Sequence, residues 1–96
     1  MPEWQSREHL EGHFADHGRE VGARTVEEYD ASARAVVARA DMIFSYEDPT
    51  TGLLRVGCYD VQTGLFTALS DDDHWIVSHF ATDDDYVDFL MGTNTE

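Results

Sequence analysis

The sequence of 96 residues contains no lysine, and beyond Arg55 it contains no arginine either. Its cations are six arginines set against 20 acidic residues, for a formal net charge of -14. Such a surface repels nucleic-acid phosphates and anionic lipid unless arginines gather locally, so DNA is not an expected partner. Cysteine is nearly absent as well. Cys58 stands alone, which rules out an internal disulfide and any zinc site built on several thiolates. Long apolar runs are missing: "LLRVGCY" and "WIVSHFA" are short and interrupted, well under the roughly 20 residues a membrane helix needs. The start, "MPEWQSREHLEGH", lacks the basic region and apolar stretch of a secretory signal, so a cytoplasmic location is expected. Without repeats, low-complexity tracts or a linker, residues 1–96 read as one domain.

What remains is ordinary globular material, 42% hydrophobic. Leu10 and Phe14 recur four residues apart with Trp4 nearby, which predicts a first helix over about Ser6 to His17. Gly18 stands where a left-handed helix stop is expected. "TVEE" reads as a capping box, with Thr25 taking the amide of Glu28 and Glu28 reaching back to the amide of Thr25. Val26, Tyr29, Ala33, Val36, Val37 and Ala40 then keep helical spacing. From Ile43 the pattern turns to strands. The segments "LLRVGCYD", "LFTALS" and "WIVSHFA" are separated by turn chemistry and predict an antiparallel meander. Strict alternation in the last would put Trp75, Val77 and His79 on one face, and Ile76, Ser78 and Phe80 on the other. Thr82 is placed to cap a short closing helix carrying Tyr86, Phe89 and Leu90, with Gly92 as its stop. The expected fold is α+β: two N-terminal helices on a three- or four-stranded antiparallel sheet, then a short C-terminal helix.

Five histidines are the main carriers of chemistry. His9, His13 and His17 fall at successive i, i+4 positions, and an i, i+4 pair can bind zinc. Three along one stripe diverge by roughly 40° and climb about 6 Å per step, so one metal does not readily collect all three. No glutamate follows the first histidine as in zinc-protease helices, and no metal or other cofactor is expected. Proton transfer is the better use of an imidazole whose pKa lies near neutrality. His17 is favoured because the helix end beside Gly18 stabilises its charged form. Ser78 and His79 lie late in a strand that can pass near that end, with Ser78 suited to donate a hydrogen bond to a phosphate.

The stretches "HFADHGREVG", "TVEEY", "LLRVGCYDVQTGLFTAL" and "IVSHF" together resemble the colicin D-like branch of the barnase–EndoU–colicin–RelE ribonuclease toxin fold. The resemblance runs from about His13 to Phe80. It implies metal-independent RNA cleavage by transphosphorylation, with a tRNA as the typical substrate and a cognate immunity or antitoxin protein as partner. His17 matches the family's proton-transfer histidine, while Ser78 and Phe80 match a serine and an aromatic on the last strand. His13 and His79 are supporting candidates. Arg19 and Arg55 are the cations that chemistry would recruit to a developing phosphate charge. The relatives carry lysines just before the histidine, where this chain has Phe14 and Asp16. An aspartate there repels phosphate. The alternative expectation is a non-enzymatic acidic module, immunity- or antitoxin-like, that binds a basic protein.

Overall fold

The computed structural model describes residues 2–92. The elements are β1 (Glu3–Trp4), α1 (Arg7–His17), α2 (Val26–Arg39), β2 (Met42–Glu47), β3 (Leu54–Asp60), β4 (Leu65–Ser70), β5 (Trp75–Ala81) and α3 (Asp84–Gly92). The architecture is α+β, as the pattern predicts, with one strand more than expected. Strands β2 to β5 form an antiparallel meander, and β1 adds parallel to β5 to complete a sheet in the order β1-β5-β4-β3-β2. A strand of two residues carries no periodic signal, which is why β1 is invisible to pattern reading.

Local chemistry sets each helix boundary. The Ser6 hydroxyl accepts from the His9 amide at 3.0 Å and starts α1. Thr25 accepts from the Glu28 amide at 3.1 Å and starts α2, but the Glu28 carboxylate bonds the Arg24 amide at 2.7 Å rather than that of Thr25. For α3 the cap is Asp83, whose carboxylate takes the Tyr86 amide at 3.0 Å. Thr82 lies one residue before the cap position, with its amide bonded to the Gly64 carbonyl. Gly18 does not adopt the left-handed conformation expected of it: its backbone is right-handed helical, and the left-handed glycine is Gly22 (φ 81). Gly18 is required for space, since a Cβ there would lie 2.5 Å from the Phe14 ring.

The two faces of the sheet hold two cores. Helices α1 and α2 cover the first, where Trp4, Leu10, Tyr29, Ala33, Val36, Cys58, Leu69 and Ile76 pack. On the second, α3 lays Val87 and Leu90 against Tyr46, Tyr59, Phe66 and Ala68. A β-bulge in β5 decides which side chains reach which core: Ala68 opposes Ser78, while the adjacent Leu69 opposes Ile76. The extra residue is Val77. Ile76 therefore shares the α1/α2 face with His79, and Val77, Ser78 and Phe80 share the α3 face. The predicted alternation is overturned at that one residue.

Candidate functional site

The C-terminal end of α1 crosses the rim of β5, and polar groups collect at this crossing. The His17 ring sits 5.9 Å from that of Phe80. Its Nδ1 is 3.2 Å from Glu20 Oε2, close enough for an ion pair, though out of line for a hydrogen bond. Glu20 is itself fixed, because the same oxygen accepts from the Ala81 amide at 3.1 Å. The fixed carboxylate thus stands beside the His17 ring at the edge of β5. His13 lies one turn back, its ring 6.0 Å from that of His17. Burial, and then the neighbouring His9 and His17, hold the His13 pKa below the usual value, while Asp16 opposes them. The three imidazoles form a column that begins at Trp4.

His79 belongs to the core instead. It is fully buried, and both ring nitrogens have partners inside the protein. Nδ1 is 3.1 Å from the Phe66 carbonyl, which can only accept, so Nδ1 carries the proton. Nε2 then accepts from the Ser32 hydroxyl at 2.8 Å. Thr67 lies 2.9 Å from Nδ1 and donates to the Ala33 carbonyl at 3.2 Å. The Tyr29 hydroxyl donates to the His79 carbonyl. Burial drives the His79 pKa down to about 4, only partly opposed by the Phe66 bond, so the ring is neutral near pH 7. This neutral network ties α2 to β4 and β5.

The residues singled out from the sequence therefore occupy separate places. His17, His13 and Phe80 come together. Ser78 shares a face with Ala68 and α3, away from the side on which His79 bonds to α2. Arg19 lines an open groove with Phe14, Ala15, Gly22, Ala23 and Arg24, next to the crossing. Arg55 is remote: it pairs with Ser70, whereas Phe80 pairs with Phe66, four residues along β4 and roughly 13 Å away. It is also held by Asp48 at 3.5 Å. Sequence reading missed Glu20, Ser32 and Thr67. Ser32 had a faint signal, as a polar residue three positions after Tyr29 on an otherwise apolar helix stripe.

Arginine pairing sets the electrostatics. Arg7 bonds Glu11 and Glu27, Arg34 bonds Glu3 and Asp30, and Arg39 bonds Asp60. Arg55 has Asp48 and Arg24 has Glu28, the last at 3.9 Å. Arg19 alone pairs with no carboxylate among the described residues. Among the same residues no group of three His, Cys, Asp or Glu side chains is arranged to hold a metal ion, and no helix is long and apolar enough to cross a membrane. Comparison with protein-family models, curated proteins and solved structures finds no match to the chain.

Proposed function

We propose that this chain is an acidic protein-binding module whose partner is a basic protein. The observation that carries the reading is the arginine census: five of the six cations are already engaged by carboxylates, on a chain of net charge -14. Its outward field is negative and favours a positive partner at long range. The test is capture on the immobilised protein from a cell extract, with the bound proteins identified by mass spectrometry. Basic proteins retained at about 50 mM salt and released near 500 mM are expected, since screening shortens the reach of charge to a few ångströms. Retention of neutral or acidic proteins only, or retention indifferent to salt, contradicts the reading.

A second reading keeps the ribonuclease-like toxin expectation, with His17 transferring protons and RNA as substrate. Two observations favour it: Glu20 sits beside His17 next to Phe80, and Arg19 and Arg24 meet in the adjoining groove. Its test is incubation of the purified protein with total tRNA at low salt without divalent metal. Cleavage that disappears in a folded His17→Ala variant supports it. Intact tRNA, or cleavage equal in both proteins, rejects it.

A further inference from the structure

The aromatic column does not end at His17. Phe80 follows at 5.9 Å, Tyr86 at 6.1 Å from Phe80, and Phe89 at 6.2 Å from Tyr86. Exposure is substantial at the ends of this line, 31% for the His17 side chain, 37% for Tyr86 and 56% for Phe89, while Phe80 between them is half-buried and stacks on Phe66. Helix α3 has buried Val87 and Leu90, so Tyr86 and Phe89 fall outside its packed stripe. A row of aromatic rings on the surface is costly to leave in water and is the usual mark of a contact surface. Carboxylates flank it, Glu20 at the His17 end, where Arg19 is the neighbouring cation, and Asp85 one turn before Phe89, where no arginine or lysine is near in sequence.

We propose that this ring track docks an extended, arginine-bearing segment of the basic partner. The proposal rests on the binding-module reading and gives that module its contact surface. Rings beside carboxylates match a guanidinium, which stacks on an aromatic face while its edge donates to carboxylate oxygens. Lysine, a compact and strongly hydrated charge, gains less from the rings. Phosphate-bearing ligands are repelled by the same carboxylates. The spacing fits as well: side chains on one face of an extended chain recur every 6.6 Å or so, close to the ring-to-ring steps of the track. Arginines at alternate positions of such a segment would each meet one ring.

The experiment uses two synthetic peptides, one with arginine alternating with serine and one with lysine at the same positions. Each is titrated into the isotopically labelled protein at about 50 mM salt. Shift changes confined to residues 17–20, 80–81 and 85–89 are expected, with the arginine peptide binding roughly fivefold or more tightly than the lysine peptide. Phe89→Ser, at an exposed position, is expected to weaken the arginine peptide roughly fivefold without altering the thermal midpoint. Equal binding of the two peptides, or binding indifferent to Phe89→Ser, overturns the track and leaves the basic-partner reading standing. Absence of binding by either peptide overturns both.

Discussion

His79 is an ionisable side chain used as an uncharged structural part. Its neutral form is bonded on both edges within the core, and its protonated form would bury a charge, with the Ser32 bond reversed so that Nε2 donates to the hydroxyl. With a folded-state pKa of about 4 against 6.5 unfolded, the unfolded chain binds the proton first as pH falls. The stabilisation is therefore complete above 6.5 and is lost progressively between 6.5 and 4. That interval is about 2.5 pH units at about 1.4 kcal/mol each, or on the order of 3 kcal/mol in total. Urea unfolding at pH 7.5 and pH 4.5 measures it. A His79→Gln variant is expected to be less stable at pH 7.5 and to show a smaller drop on acidification. An equal drop in both proteins would show that His79 is not the group responsible. Gly18 makes a second residue-scale case, of shape rather than charge. Gly18→Ala drives a methyl to 2.5 Å from the Phe14 ring and 2.7 Å from its carbonyl oxygen. A loss of about 1–3 kcal/mol in unfolding free energy is expected, the range typical of overpacking. Unchanged stability would mean that the ring swings aside freely.

At the scale of elements, the fold was legible where periodicity is long and hidden where a single residue breaks it. Helix α2 and the strands β3, β4 and β5 follow from patterns that run for several residues. Strand β1 consists of two residues, and its role comes from Trp4, which packs in the core and donates from Nε1 to Asp30 at 2.9 Å. The bulge at Val77 has no signature of its own, yet it moves His79 from the side of Val77 to that of Ile76. That reassignment is why the crossing of α1 over β5 could be anticipated from sequence while the partners of His79 could not. Ser32 and Thr67 come from different elements, brought to His79 by tertiary packing alone. Helix α1 carries its own consequence. The three imidazoles of its inner stripe stand between Trp4 and Phe80, and His13 is held below its usual pKa by burial and by His9 and His17, with Asp16 opposing. A lowered folded-state value means that docking of α1 is strongest above pH 6.5 and weakens as pH falls below it. Hydrogen exchange at pH 7.5 and 5.5, corrected for intrinsic rates, is expected to show protection falling more in residues 10–17 than in α2. In His13→Phe that excess is expected to shrink. Uniform loss across both helices would contradict this account.

For the whole molecule, charge is the dominant design feature, and it acts on stability as well as on partners. Twenty acidic groups on a chain whose Cα radius of gyration is 12.4 Å repel one another across distances comparable to the screening length. That length is about 10 Å at 0.1 M salt and about 3 Å at 1 M. Added salt removes this repulsion, which favours the compact state. It also weakens the arginine–carboxylate pairs, but three of the seven are exposed on both sides, as at Arg7 with Glu11, and such pairs contribute roughly 0–1 kcal/mol each. The repulsive sum spans many more pairs than the attractive one, so its loss prevails. The thermal midpoint at pH 7.5 is therefore expected to rise between 20 mM and 1 M sodium chloride. Each kcal/mol gained moves the midpoint by roughly 4–8 °C in a domain of this size. Sodium chloride is the right salt for the measurement, because sulfate would stabilise by exclusion from the surface whatever the charge. Asp71→Asn combined with Asp72→Asn, in the acidic turn between β4 and β5, should reduce the slope of midpoint against salt. A midpoint that falls with salt would mean that the ion pairs, rather than the repulsion, control the electrostatic balance of this fold.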